Sequence, residues 1–175
     1  YCEYYKNRKK YYFRKNKKIN YIQFGNYDNK LLLHFRRLIK KVYNYNSSIS
    51  FDRVRVCNRK IIKDLLKYTD YGHLKWKVPD DVIKGTKKLK ISFIRGYFDG
   101  DGTVSNTVRI FSNNKNSLIT VSNLLNSLSI GNNFKGPYYR EHKEPSYNIY
   151  IKSKDKEKFL KMIKPISKNL PKKVL

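Results

Sequence analysis

One stretch constrains this chain more than any other: Phe93–Gly102, Phe-Ile-Arg-Gly-Tyr-Phe-Asp-Gly-Asp-Gly. On a helix advancing about 100° per residue, Ile91, Ile94 and Phe98 share one face, while Leu89, Phe93, Gly96, Tyr97 and Gly100 share the opposite one. A helix that is apolar on two opposite faces is buried between other elements. Glycine inside a helix costs on the order of 1 kcal/mol relative to alanine, so Gly96 and Gly100, one turn apart, need a reason. The spacing predicts a second backbone close against the glycine face.

The stretch ends in two carboxylates, Asp99 and Asp101, each followed by glycine. A helix C-terminus carries partial negative charge, which favours cations there and disfavours acids. Two readings stay open at this point. Asp-Gly-Asp-Gly is either a C-cap followed by a tight turn, or a small oxygen-rich site for a divalent cation. All-oxygen ligands favour Mg²⁺ or Mn²⁺ over zinc. An EF-hand loop is excluded, because Thr103 stands at its third ligand position, Val104 at its required glycine and Ile110 at its closing glutamate.

Composition fixes the class of partner. Across 175 residues, Lys+Arg number 40 against 13 Asp+Glu, a formal charge of +27. That imbalance opposes a compact state by self-repulsion and implies a polyanion. Aromatic residues make up 15%, 16 of them tyrosine, so the chain can build a core and is not a disordered basic tail. Charge alone does not separate an enzyme acting on nucleic acid from a plain RNA-binding protein of ribosomal type. Cys2 and Cys57 are too few for a disulfide framework or a zinc site and read as free thiols. No apolar run approaches a membrane span and no signal-peptide pattern opens the chain, so no membrane partner is expected, and the location expected is cytoplasmic and nucleoid-associated.

Along the chain, the fold class expected is α+β. Tyr1–Arg14 and Ile19–Phe24 read as strands, Lys30–Tyr43 as a helix with Leu31, Leu32, Phe35, Leu38, Ile39 and Val42 on its apolar face, Ile49–Cys57 as one strand, and Lys60–Tyr68 as a second helix. The same plan recurs after the glycine-bearing helix. Phe24-Gly25-Asn26 aligns with Phe111-Ser112-Asn113, each followed by a helix, and Val54–Leu66 aligns with Ile149–Lys161. Repetition at this period suits a pseudo-twofold domain made of residues 1–83 and 84–175, with the helix only in the second repeat.

Ile94-Arg95-Gly96-Tyr97-Phe98-Asp99-Gly100-Asp101-Gly102 resembles the signature of the LAGLIDADG homing endonucleases, and the repeat on either side of it resembles the halves of that family. The resemblance implies antiparallel sheets forming a DNA-binding saddle, and metal-dependent hydrolysis of phosphodiester bonds at a long duplex site. It implies that Asp101, with the Gly100 carbonyl beside it, binds Mg²⁺ or Mn²⁺. Asp99 would tie off the helix end, and Gly96 would face a second signature helix. The family's basic residue before the second motif falls on Lys75 or Lys77, for which a simple phosphate contact is the alternative. Asn113, with Asn26 as its repeat mate, falls where the family orders active-site water; helix N-capping is the alternative for both.

For double-stranded DNA, the outward strand positions matter. Arg53 and Arg55 alternate with Val54 and Val56; Asn148, Tyr150 and Lys152 alternate with Ile149 and Ile151; Tyr138, Tyr139 and Arg140 lie just upstream. Arginine and asparagine read base edges, whereas lysine mostly serves phosphate. Arg109 stays ambiguous, because Val108–Phe111 does not say whether Ile110 or Phe111 is buried. His34, His73 and His142 form no His-Asn-His pattern, and no Gly-Ile-Tyr pair appears, which disfavours the other homing-nuclease classes. The first signature helix is absent from this sequence, which opens on Tyr1. The expectation is a second motif upstream, giving a monomer, or else pairing of two copies in a homodimer. The rival function is a non-cleaving binder on the same scaffold, an intron maturase or a regulator.

Overall fold

The computed structural model describes residues 4–7, 10–13, 21–70 and 72–166. Strands β1 (Tyr4–Asn7) and β2 (Lys10–Phe13) pair antiparallel at the start. Next come β3 (Ile22–Gly25), α1 (Asn29–Tyr43), β4 (Ser48–Ser50), β5 (Arg53–Val56) and α2 (Arg59–Leu65). The three strands form an antiparallel sheet in the order β3-β5-β4, with Ile22 opposite Val56 and Phe24 opposite Val54. The expected single strand over Ile49–Cys57 is two strands joined at Phe51-Asp52. Neither residue carries the glycine or asparagine that marks a hairpin in sequence, and Phe51 projects into solvent, 89% exposed.

Asp28 caps α1 by accepting the Lys30 N–H, and Asn44 ends the helix in the left-handed conformation, at φ 49°. Leu31, Leu32 and Ile39 are buried, but Leu38 and Val42, placed by periodicity on the same apolar face, are exposed. Asn58 caps α2, accepting from the Lys60 and Ile61 N–H groups.

A short helix, α3 (Asp80–Lys84), follows Pro79, whose fixed φ suits a helix start and whose successors Asp80 and Asp81 match the dipole there. The glycine-bearing helix is α4 (Lys87–Asp101), capped by Thr86 accepting the Leu89 N–H. Beyond it lie β6 (Gly102–Val104), β7 (Val108–Ser112), α5 (Lys115–Ser127), β8 (Asn132–Arg140), β9 (Lys143–Ile151), a 3₁₀ turn at Ser153–Asp155 and α6 (Lys156–Ile163). Their sheet is antiparallel, ordered β6-β7-β9-β8, with a register shift in β8 between Lys135 and Tyr138.

The core gathers around α4. Ile94 and Phe98 are buried against a cluster that includes Val108, Ile110, Leu118, Leu125, Ile149 and Phe159. Phe98 meets Phe159 edge to face at 5.0 Å between ring centroids, a preferred aromatic geometry. The first sheet and its helices bury a smaller set, Leu31, Leu32, Ile39, Val54, Val56 and Ile61, of which Ile39, Val56 and Ile61 form a cluster of their own.

Two sequence expectations change. The face holding Gly96 and Gly100 is not closed by another backbone: a methyl group at either position would meet nothing within 4 Å among the described residues. The repeat is also one residue out of register at Asn26. Burial alternates so that Ile22 and Phe24 match Val108 and Ile110, and the helix caps Asp28 and Asn114 each donate their N–H back to a side chain two residues earlier, Asn26 Oδ1 and Ser112 Oγ. Asn26 therefore corresponds to Ser112, and neither Asn26 nor Asn113 is a helix cap. Among the described residues, no helix is long and apolar enough to cross a membrane.

Candidate functional site

The two acids at the end of α4 have different surroundings. Asp99 is buried, 8% exposed, and its Oδ1 accepts the Ile166 N–H at 2.9 Å, tying the helix end to the chain beyond α6. Asp101 is open to solvent on one side, yet the surrounding protein removes enough water that desolvation holds its carboxyl above the ordinary range. Among the described residues no ion pair offsets that cost. The glycine after it is required by space: a Cβ at Gly102 would overlap the ring and carbonyl oxygen of Phe98. Gly102 also closes the helix, its N–H donating to the Phe98 carbonyl.

Asp101 opens onto a groove of about 920 Å³ whose walls include Lys77, His73, Tyr97, Gly96 and Asn113. Of the two basic candidates, Lys77 lines this groove with Asp101; Lys75 is exposed and does not. Trp76 between them is half-buried and packs on Tyr97 with ring centroids 4.8 Å apart. Burial pushes the Tyr97 phenol well above its ordinary range, the Asp101 charge pushes the same way, and a hydrogen bond with Ser112 opposes them. The Tyr97 hydroxyl donates to the Phe111 carbonyl at 3.2 Å. Asn113 spends its amide N–H groups on the Glu144 and Pro145 carbonyls, at 3.1 and 3.0 Å, anchoring the base of the β8–β9 arm.

A second groove, of about 520 Å³, lies on the solvent face of the larger sheet. Arg109, Tyr138, Arg140, Asn148 and Tyr150 all line it, and Lys152 does not. The register explains the grouping. Arg109 pairs with Tyr150, and Phe111 with Asn148, while Ile110 and Ile149 point into the core, so the ambiguity at Arg109 resolves outward. Arg109 Nε is buried without a hydrogen-bond partner, and Lys135 Nζ sits 5.7 Å from the Tyr150 ring centroid.

On the smaller sheet the arginines are engaged. Arg53 Nε donates to its neighbour Asp52 at 2.6 Å, and a second donor of the same guanidinium completes a two-point pair. Arg55 donates to Gln23 Oε1 at 2.9 Å and lies 5.1 Å from the Tyr21 ring centroid.

Sequence reasoning missed two polar residues. Gln23 alternates outward on β3, a signal of the same kind that picked out Arg55. Asn114 caps α5 and also donates to two carbonyls of the Leu74–Trp76 segment, which local sequence does not reveal.

Comparisons with known proteins bear on the domain and the fold. Residues 88–164 match the LAGLIDADG-like domain family. No curated protein sequence matches the chain. Among solved structures, mesophilic variants of the homing endonuclease I-DmoI align with a TM-score of 0.64 and 19% identity, over 96% of this chain and 89% of that one. I-DmoI in complex with DNA and Mn aligns at 0.59 and 19%, over 97% and 90%. I-DmoI in complex with DNA and Ca aligns at 0.60 and 18%, over 93% and 81%. Residues 88–164 thus resemble a LAGLIDADG-like domain, and over nearly its whole length the chain shares the fold of the I-DmoI structures.

Proposed function

We propose that the chain is a site-specific DNA endonuclease built from two pseudo-repeats, 1–83 and 84–175, and that Asp101 is the acid of its hydrolytic site. The observation that carries the reading is a desolvated carboxylate without an ion pair, at a helix end, facing a groove that also holds a lysine.

The donor set suits a hard divalent cation. Asp101 offers carboxylate oxygens, and a helix end leaves its last carbonyls, Gly100 among them, without intrahelical donors. Asp101 and Gly100 would hold Mg²⁺ or Mn²⁺; the bound ion supplies charge neutralisation at phosphate and a more acidic water. I-DmoI structures containing DNA with Mn or Ca support this choice of ion class.

The chain's own residues do the rest. Lys77 presents a cation to the phosphate from the same groove. Asp99 fixes the helix end through Ile166, so that Asp101 keeps its place. Arg109, Tyr138, Arg140, Asn148 and Tyr150 meet base edges and sugars along the larger sheet. Arg55 and Arg53 serve the smaller sheet, and Lys75 and Lys152 serve phosphates outside the grooves.

A second reading, a binder that does not cut, is favoured by the open face at Gly96 and Gly100. The cutting form would then need that face covered, by an upstream motif in a monomer or by a second copy in a homodimer. The test is selection of a duplex from a randomised pool, followed by a Mg²⁺-dependent cleavage assay on it. Cleavage that stops with chelator and with Asp101→Asn supports the nuclease reading. Tight, specific binding without cleavage by any assembly state supports the second.

A further inference from the structure

We infer that Asn114 is a positioning residue for Lys77, acting through a strap of hydrogen bonds that no signature motif contains; the inference rests on the nuclease reading above. Residues 72–79 run between α2 and α3 without joining a sheet, so no ladder satisfies their carbonyls or sets their course. A buried carbonyl left without a donor is costly, and an unladdered lysine-bearing segment would wander.

Asn114 resolves both problems. It is 9% exposed, and its side-chain amide donates to the Leu74 carbonyl at 3.0 Å and to the Trp76 carbonyl at 2.8 Å, bracketing Lys75. The Ser117 hydroxyl, one turn into α5, donates to the same Trp76 carbonyl. From the other side, the Thr69 hydroxyl accepts the Lys77 N–H at 3.0 Å and donates to the Lys77 carbonyl at 3.1 Å. The backbone at Trp76-Lys77 is thus gripped between the N-terminus of α5 and the end of the α2 segment, and the Trp76 ring rests on Tyr97 of α4. Lys77 enters the Asp101 groove from this gripped backbone, and only its side chain is left to move.

Asn114 has two separable duties. Its Oδ1 caps α5 by accepting the Ser117 N–H at 3.1 Å, and its Nδ2 holds the strap. Aspartate caps as well as asparagine but cannot donate. The first repeat makes the same contrast: Asp28 occupies the corresponding cap, so a side chain without amide donors suffices for capping. The asparagine in the second repeat is accounted for by the strap.

The experiment is a double-mutant cycle of Asn114→Asp and Lys77→Met, with Thr69→Val as a variant that leaves α5 untouched. Kinetics on the selected duplex are read alongside amide hydrogen exchange at Trp76 and Lys77. The expected result is a kcat loss of roughly 10²-fold for Asn114→Asp and for Thr69→Val, the scale of a displaced catalytic group, with KM within about twofold. Asn114→Asp should add nothing further to Lys77→Met, and exchange at Lys77 should speed up by roughly tenfold or more while α4 stays protected. Additive losses with Lys77→Met, or unchanged exchange at Lys77 in both strap variants, overturn the inference. If the wild-type chain does not cut, the nuclease reading fails and the exchange data alone decide on the strap: faster local exchange upholds it, unchanged exchange overturns it.

Discussion

The two halves of the molecule share an element order and differ in what holds them. Both run strand, helix, two strands, helix, as β3-α1-β4-β5-α2 and as β7-α5-β8-β9-α6. The second half has α4 lying against its sheet, and Ile94 and Phe98 complete a continuous core with Ile110, Ile149 and Phe159. The described part of the first half has no helix in that role. It buries a smaller set, Leu31, Leu32, Ile39, Val54, Val56 and Ile61, and leaves Leu38 and Val42 of α1 exposed. The same contrast runs through the polar residues. Arg53 and Arg55 of the first half are held by Asp52, Gln23 and Tyr21, whereas Arg109 of the second half has an unpartnered Nε. One helix therefore does double duty: it supplies the second core and brings the acid to the groove.

The largest effect should come from that core. Phe159→Ala, which removes a fully buried ring packed on Phe98, should cost about 3–5 kcal/mol in chemical denaturation. Leu38→Ala, on the exposed face of α1, should cost within about 1 kcal/mol. Equal losses would erase the contrast between the halves.

The arginines sharpen it next. Arg109→Met should weaken a selected duplex by about 1–3 kcal/mol while leaving random DNA little changed. Arg53→Met should do less, because its guanidinium already meets Asp52. Titration from ~50 to ~200 mM salt should lower the affinity of either protein by roughly 10³-fold or more, if about six phosphates are neutralised. Discrimination lost at Arg53 and kept at Arg109 would reverse the assignment of reading to the larger sheet.

Glycines within α4 and at its end come third. Gly102→Ala should destabilise by about 1–3 kcal/mol, since its Cβ has no room beside Phe98. Gly96→Ala should stabilise by roughly 0.5–1 kcal/mol, because open space lies beyond it and alanine is the better helix former. A destabilising Gly96→Ala would show the face to be covered in solution.

The smallest effect is the most diagnostic of charge. Desolvation raises the Asp101 carboxyl above its ordinary range, so the folded state binds that proton more tightly than the unfolded one. Its contribution to stability is present below the ordinary carboxylate range and is lost as pH rises through the raised value. Asp101→Asn should therefore raise Tm at neutral pH, with the gain vanishing in acid. Asp52 in the first half has the opposite sign: the Arg53 hydrogen bond lowers its carboxyl, so its contribution is present above the ordinary range and is lost on acidification. Asp52→Asn should lower Tm at neutral pH and make no difference in acid. Thermal melts across pH check both.

Much of this was legible in the residues. The period of Ile91, Ile94 and Phe98 marked a helix inside the protein, and alternation in Val54–Val56 and Asn148–Ile151 marked the sheets. The rest depended on long-range contacts. Gly96, Gly100 and Gly102 look alike in sequence, yet two face open space and the third faces a phenylalanine ring. Two asparagines, Asn26 and Asn113, invited an alignment that burial alternation shifts by one residue. Asn114 holds carbonyls roughly forty residues away, which no local pattern encodes.

The most direct test of the account is a strand-resolved cleavage assay, with both strands of the selected duplex labelled, comparing wild type and Asp101→Asn in Mg²⁺. Among the described residues one groove-facing acid stands at the end of a signature helix, so the wild-type protein, in the assembly that covers its glycine face, should cut at least one strand. The Asp101→Asn protein should nick neither while binding the duplex at least as tightly, since a negative charge near phosphate is gone. An Asp101→Asn variant that nicks at the wild-type rate would contradict the assignment and leave Asp-Gly-Asp-Gly as a helix cap and turn.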